Sequence, residues 1–308
     1  MFEFLFRRRN RRRALWAQVA AEYGGTFHLP TGFFRPQHER IEATVDGAQV
    51  LLETYAVHTG QKPVQYTRVT GWYTRGPGPM HSVDQVGVFA RVGKALGLDY
   101  VELGHGAFDI AFHIRAANPA VARRLWSPAA IDHMLARFPN ATIKSSADTV
   151  ELTVNAKWED GDKLRAAITM IAELANRDLY GVDSLRAVAD AAISQKPGAW
   201  PEIVLDLQAR VVIRAEHPGP ELVMVARVDE VAEREELVAE IVNGNASGTE
   251  RLPQAALATL PRVGTGRLAV SRDGLSFTWP VLEVDPDHLR AGAELLGAIA
   301  AGHAGVYR

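Results

Sequence analysis

The sequence contains no cysteine, which excludes a disulfide framework, thiolate zinc sites and cysteine nucleophiles. Lysine is also scarce, with 6 residues against 28 arginines. No stretch approaches the roughly 20 apolar residues that a membrane-spanning helix requires. No apolar run follows the positive cluster near residue 10 as it would in a secretory signal. We therefore expect a cytoplasmic protein that is soluble or peripheral to a membrane.

Motifs for nucleotide and metal binding are missing too. No Gly-x-x-x-x-Gly-Lys-Ser/Thr loop occurs, and the runs GNASGTER and VGTGRL lack the necessary lysine. The 10 histidines are scattered, with no spacing such as His-Glu-x-x-His. The sequence therefore predicts no cofactor and no metal site.

The charge of the chain is unevenly distributed. Its 308 residues are 47% hydrophobic, which suits one large domain or two of ordinary size, and its net charge is −2. Residues 1–13 hold six arginines and one glutamate, so they carry +5 and leave −7 for the remainder. A positive segment is thus attached to an acidic body.

An internal repeat organises the second half of the sequence. Residues 128–175 and 253–300 align without a gap, and 13 of 48 aligned positions are identical. Each copy reads as a β-hairpin followed by an amphipathic helix that Asp160 or Asp285 caps. A catalytic carboxylate pair at Asp160 and Asp162 is the alternative. We favour capping, so the duplication indicates a fold built twice and not two active sites.

The predicted fold class is α+β, with two tandem repeats related by a pseudo-twofold axis. Each repeat is expected to form a mainly antiparallel sheet with helices packed on one face. The predicted domains are a basic and aromatic segment at 1–13, a first repeat at 14–194 and a second repeat at 195–308. Further predicted elements are a helix ending at Gly24–Gly25, a hairpin turning at Asp46–Gly47, a strand at 107–116 and a helix at 233–242.

A Gly-Lys-x-Leu-Gly run, a Phe-Asp-x-x-Phe run and a Ser-Pro pair follow one another between residues 87 and 155. The positions in this string are Gly93, Lys94, Leu96, Gly97, Gly104, Phe108, Asp109, Phe112, Pro119, Ala122, Arg123, Ser127 and Pro128. The string resembles an uncharacterised bacterial family, a domain of unknown function. The resemblance covers less than a third of the chain. It implies a shared fold and a bacterial origin, and it implies no reaction, ligand or catalytic residue.

The N-terminal segment is the strongest candidate for a binding function. Its apolar and basic residues are Phe2, Phe4, Leu5, Phe6, Arg7, Arg8, Arg9, Arg11, Arg12 and Arg13. Bulky apolar side chains beside a polybasic cluster suit an anionic membrane surface. Phosphate contacts in a nucleic acid are a less favoured hypothesis, because they need no phenylalanine or leucine. The same residues also fit a solvated start of the first helix or a tail that docks on a protein partner.

Two further groups of residues are candidates. Tyr66, Trp72 and Tyr73 precede a Gly/Pro-rich loop, where exposed aromatics would form a recognition surface. The alternative places Trp72 in the core and Tyr73 at the edge of a strand. An acid/base site is the third candidate, and its residues would be His81, His105 and Asp109.

We expect a non-catalytic binding, scaffold or adaptor protein with a protein partner or with itself as partner. The N-terminal segment would tether it to a membrane periphery. The runner-up is an enzyme whose site lies near His81, His105 and Asp109. Such a site would gather polar groups in the first half only, because the second half has no equivalents of these histidines. Nucleic-acid binding through the arginine cluster is the third hypothesis.

Overall fold

The structure is a computed structural model that divides into two compact units, Met1–Arg177 and Asp178–Arg308. It describes residues 2–29, 39–58, 63–85, 100–188, 201–207, 209–216, 223–228, 237–242, 245–246, 252–271, 274–282 and 284–304, with the backbone alone at 2–8, 237 and 303–304. Each unit holds one antiparallel sheet, so the predicted α+β class is confirmed. The predicted boundary between 194 and 195 lies outside the described residues.

The first unit contains five helices and eight strands among its described residues. The helices are α1 (Phe2–Glu22), α2 (Gly106–Ala111), α3 (Pro119–Leu125), α4 (Pro128–Arg137) and α5 (Gly161–Ala175). The strands are β1 (Thr26–His28), β2 (Arg40–Val45), β3 (Ala48–His58), β4 (Pro63–Trp72), β5 (His81–Gln85), β6 (Phe112–Ala116), β7 (Ala141–Ser145) and β8 (Thr149–Val154). Their order in the sheet is β1-β2-β3-β4-β8-β7-β5-β6.

The described part of the second unit contains three α-helices and seven strands. The helices are α6 (Val182–Val188), α7 (Gln254–Thr259) and α8 (Pro286–Ala304), with a 3-10 turn at Leu260–Arg262. The strands are β9 (Glu202–Asp206), β10 (Arg210–Glu216), β11 (Val223–Val228), β12 (Leu237–Val242), β13 (Asn245–Ala246), β14 (Gly266–Ser271) and β15 (Gly274–Trp279). Their order is β13-β12-β14-β15-β11-β10-β9.

The two sheets have the same connectivity. Read from its other edge, the second sheet runs β9-β10-β11-β15-β14-β12-β13, which matches β2-β3-β4-β8-β7-β5-β6 strand for strand. Three matched elements begin 125 residues apart, at Ala141 and Gly266, Thr149 and Gly274, and Gly161 and Pro286. The repeat detected in the sequence is therefore compatible with the topology. The described residues give β1, α2 and α3 no counterpart in the second unit. The helix α6 precedes β9 and packs on α8, as α1 precedes the first sheet and packs on α5.

One long helix covers the same part of each sheet. In the first unit α5 packs on β3, β4 and β8, and in the second α8 packs on β10, β11 and β15. Leu164 and Ile171 of α5 are fully buried, as are Leu289 and Leu296 of α8. This apolar stripe at helical spacing holds each helix on its sheet. The opposite side of the first sheet is called the open face below.

The predicted caps and hairpin turn are confirmed. The Asp160 carboxylate accepts from the Asp162 backbone N–H at 2.9 Å, and Asp285 accepts from that of Asp287 at 2.8 Å. Residues 46 and 47 have φ values of 51° and 89°, as a tight turn between β2 and β3 requires. The turn of the hairpin in the second repeat, residues 272–273, lies outside the described residues.

The strand predicted at 107–116 is wrong in its first half. Gly106–Ala111 form α2, and the strand begins only at Phe112. His105 caps this helix in an extended conformation, while Gly104 has a φ of 80° just before it. Phe108 and Phe112 are both buried, with ring centroids 4.8 Å apart. Phe108 on the helix and Phe112 at the start of the strand therefore place their rings in the same core.

The helix predicted at 233–242 is also wrong, because Leu237–Val242 form strand β12, which pairs with β14. Ala239 and Ile241 are buried, whereas Val238 and Val242 are exposed, a period of two. The same short run also fits a helical period, and pairing with β14 decides between the two. Residues 233–236 lie outside the described part of the chain.

Candidate binding sites

His81, a candidate for acid/base chemistry, lies inside the first unit. It is 5% exposed on β5, and its Nδ1 lies 3.1 Å from the Pro79 carbonyl oxygen. Its ring meets Trp126 edge to face, with centroids 6.3 Å apart. Burial lowers the pKa of His81 to about 4 and outweighs the Pro79 hydrogen bond, which raises it. The imidazole is therefore neutral at physiological pH.

His105 and Asp109 both stabilise the turn into α2. The His105 Nδ1 accepts from the Phe108 backbone N–H at 3.4 Å. The Asp109 carboxylate accepts from the backbone N–H groups of Leu103 and Gly104, at 2.9 and 3.0 Å. In the described part of the chain, no hydrogen bond joins His81 to either residue. Nor do the described residues include a group of three His, Cys, Asp or Glu arranged to hold a metal ion.

The predicted aromatic surface is divided by the structure. Tyr66 and Trp72 share the open face of the first sheet, and Trp72 is 37% exposed at the end of β4. The alternative that placed Trp72 in the core is therefore wrong. Tyr66 stacks on Tyr55 with centroids 5.3 Å apart. The Tyr73 hydroxyl instead bonds the Ser145 hydroxyl at 2.7 Å, so this ring does not join the others.

A pocket of about 360 Å³ lies on the open face beside Trp72. The Gly24–Gly25 turn between α1 and β1 forms one wall. The side chains that line it are those of Thr26, Glu42, Thr44, Gln49, Leu51 and Trp72. Only Trp72 was predicted from the sequence. The hairpin turn at Asp46–Gly47 sets the register that places Thr44 opposite Gln49. The Asp-Gly dipeptide that predicts this turn can be recognised in the sequence.

The N-terminal segment is helical and continuous with the rest of α1. The helix runs unbroken from Phe2 to Glu22, so the arginine-rich residues are not an extended tail. Arg9 and Arg11 are exposed, whereas Trp16 and Val19 are fully buried. The side chains of residues 2–8, with the predicted apolar and first basic positions, lie outside the described residues.

Glu39 anchors this helix to the body of the first unit. Arg12 approaches it through Nη2 and Nε at 2.8 and 3.1 Å, and Arg13 through Nε at 3.0 Å. The Lys157 ammonium lies 3.6 Å from the same carboxylate. Glu39 is 5% exposed and Arg12 10%, so this group of charges is largely shielded from water.

The electrostatics of Glu39 follow from these contacts. Burial by itself raises the pKa of Glu39, but the Arg13 hydrogen bond and the charges of Lys157 and Arg12 outweigh it and hold the pKa below its ordinary value. Burial and the Arg12 charge lower the pKa of Lys157. Two of the six predicted arginines therefore fix the helix in place.

The second half of α1 is held by further contacts. The Trp16 indole N–H donates to the Trp158 carbonyl at 3.2 Å. Arg165 of α5 forms an ion pair with Glu22, with Nε 2.6 Å from Oε2. Residues 12–22 are thus fixed, and the exposed basic positions precede them directly.

Comparison with known proteins adds no assignment, because no family model, no curated protein and no solved structure matches the chain. The resemblance over residues 87–155 stays a prediction, and its positions Gly93, Lys94, Leu96 and Gly97 lie outside the described residues. Within the described part, no helix has the length and apolar character to cross a bilayer.

Proposed function

We propose that this protein is a non-catalytic binding protein that attaches to anionic membrane surfaces through the first turns of α1. The observation that supports this most directly is the anchored helix. Arg12 and Arg13 are bound to Glu39, while Arg11, which directly precedes them, and Arg9, about one turn before Arg12, are exposed. A helix fixed at one end to a folded body presents its other end in a defined direction.

The charge distribution favours one orientation on such a surface. Residues 1–13 carry +5 and the remainder −7, so an anionic surface attracts the helix and repels the body. Arg7, Arg8, Arg9 and Arg11 precede the pair that Glu39 holds. At about 1 kcal/mol for each basic residue near the surface, these arginines supply about 4 kcal/mol. The neighbouring Phe and Leu residues of the sequence would add apolar insertion.

The test is flotation on vesicles rich in phosphatidylserine, compared with vesicles of phosphatidylcholine alone. The wild type is expected to float with the anionic vesicles at low salt and to lose binding as salt rises. The double variant Arg9→Glu/Arg11→Glu is expected to stay at the bottom. The matched control, Arg137→Glu/Lys163→Glu, makes the same charge change at exposed sites outside α1 and is expected to float.

Two outcomes would remove this proposal. One is equal flotation of both double variants, which would show a response to net charge alone. The other is no flotation of the wild type. Binding of the wild type to double-stranded DNA in place of vesicles would support the nucleic-acid hypothesis.

A further inference from the structure

We infer that the open-face pocket beside Trp72 is a binding site for a small, neutral, polyhydroxylated ligand of the saccharide class. This inference does not rest on attachment to membranes. The pocket's volume, about 360 Å³, falls in the range of small-molecule sites. All of its lining residues belong to the first unit.

The floor of the pocket consists of two rows of side chains that cross neighbouring strands. In the first row Thr26 faces Glu42 across β1 and β2, and Glu42 faces Leu51 across β2 and β3. In the second row Thr44 faces Gln49. Side chains opposite each other on one face of a sheet lie about 5 Å apart at Cβ. Two strand spacings of about 4.8 Å separate Thr26 from Leu51, so the rows present several polar groups over a span of one to two sugar rings.

Trp72 stands beside the second row. It is the residue after Gly71, which faces Val50 across β3 and β4, and it therefore lies next to Gln49 on the open face. Its exposed indole offers a negative π-face, against which the polarised C–H groups of a sugar ring pack. The Gln49 amide and the hydroxyls of Thr26 and Thr44 both donate and accept, as a polyol requires.

The charges at the pocket favour a neutral ligand. Among the described residues that line it, none is Lys, Arg or His, and the neighbouring Arg40 is paired with Glu42, so an anion such as phosphate would have to displace that carboxylate. Among the described lining residues Glu42 is the one acid, and its carboxylate lies 3.1 Å from the Arg40 Nε and 3.3 Å from the His28 Nε2. A cationic ligand would have to compete with this arginine. A carboxylate that is already compensated can still accept a hydroxyl hydrogen bond.

The second unit does not repeat this chemistry. Its aligned positions hold Val204 opposite Val212 in one row and Asp206 opposite Arg210 in the other. Within the described residues β9 is an edge strand, so nothing corresponds to the wall that β1 supplies. The shared fold therefore does not require this polar set, which among the described residues occurs in the first unit.

The wall of the pocket depends on a close backbone approach. A Cβ added at Gly25 would lie 2.4 Å from the Glu42 carbonyl oxygen, so no larger residue fits there. Gly24 adopts a φ of 62°, in the left-handed region that favours glycine. These two glycines let the end of α1 turn onto β2 and enclose the floor.

Saturation-transfer NMR and calorimetry with N-acetyl-D-glucosamine, D-glucose and maltose test this inference. At least one of these saccharides is expected to bind the full chain. Trp72→Ala is expected to weaken that binding at least about tenfold, and Gln49→Ala to weaken it as well. Tyr66→Ala removes an aromatic ring from the same face outside the lining and is expected to leave binding unchanged. Far-UV circular dichroism checks that each variant folds.

Several results would overturn the inference. They are the absence of binding by all three saccharides, equal affinity in the wild type and the Trp72→Ala and Gln49→Ala variants, and binding of inorganic phosphate or tetramethylammonium in their place. Vesicle flotation is measured on the same variants. It is expected to stay at the wild-type level, so a failure of this site is distinguishable from a failure of membrane attachment.

Discussion

At the scale of single residues, burial makes His81 titrate differently in the folded and unfolded chains. Its pKa is about 4 in the folded protein against an ordinary 6.5. Between these values the unfolded chain binds the extra proton. The free energy of unfolding therefore falls as the pH is lowered from 6.5 towards 4.

We expect His81 to account for a loss of about 2 kcal/mol between about pH 7 and about pH 4.5. Urea denaturation at the two pH values measures this loss. In His81→Gln that share of the pH dependence should vanish, whereas in His105→Gln, which alters a half-buried histidine, it should remain. An unchanged pH dependence in His81→Gln would contradict the assignment.

Glu39 is one of the residues that hold α1 on the body of the first unit. Glu39→Ala leaves Arg12, Arg13 and Lys157 close together with the more exposed Glu159, 3.9 Å from Arg12, as a weaker counter-charge, and we expect it to lower the free energy of unfolding by about 3 kcal/mol. Glu53→Ala breaks a more exposed pair with Arg68 and should lower it by about 1 kcal/mol or less. Urea denaturation of both variants near neutral pH gives the comparison, and equal losses would count against a special role for Glu39.

The pH dependence of this group has a definite sign. The pKa of Glu39 is lower in the folded protein than in the unfolded chain, so the unfolded chain takes up a proton first as the solution is acidified. The stabilisation is fully present above the ordinary glutamate pKa and is lost as the pH falls through the lowered folded value.

The sequence predicted single residues well where their role is local. Asp160 and Asp285 cap helices as expected, because a cap is formed with groups two or three residues away. Thr26 and Glu42 in the pocket were not predicted. They lie side by side only because β1 pairs with β2, and no local sequence pattern predicts that pairing.

At the scale of elements, the two capped helices allow a matched pair of variants. Asp160→Ala and Asp285→Ala are each expected to lower the free energy of unfolding by about 1 kcal/mol, because each removes an acceptor for the first-turn N–H groups. Asp162 is an exposed acid in the first turn of α5, and Asp162→Ala should lower the free energy of unfolding by only a few tenths of a kcal/mol. Thermal or urea unfolding distinguishes these values, and a larger loss at 162 than at 160 would contradict the capping role.

The errors at this scale have a common physical cause. The run ending at Val242 fits both a helical and a strand period, and pairing with β14 selects the strand. The segment from Gly106 has a capping histidine and a preceding glycine with positive φ, and these local signals favour a helix turn over the strand that its apolar residues suggest. Short elements are decided by such details more than by hydrophobic pattern.

At the scale of the whole molecule, duplication was the most informative feature of the sequence. Thirteen identities over 48 positions indicated that one unit was built twice, and the matching strand orders agree with that origin. The same comparison also isolates the elements that the described residues show in the first unit alone. The strand β1, which borders the Trp72 pocket, is such an element. The helix α1 corresponds in position to α6, but α6 holds one arginine where residues 1–13 hold six. The two proposed binding features therefore depend on residues in which the copies differ.

The contacts that anchor α1 also affect the order of events while the chain is being synthesised. Its arginines reach Glu39, 26 and 27 residues later, and Glu22 reaches Arg165, 143 residues later. At about 5–20 residues per second, a ribosome needs roughly 7–30 s to supply that last partner. During that interval the helix has left the ribosome without the surface on which it will settle. A newly made chain thus presents this basic segment to its surroundings before the body that later restrains it has formed.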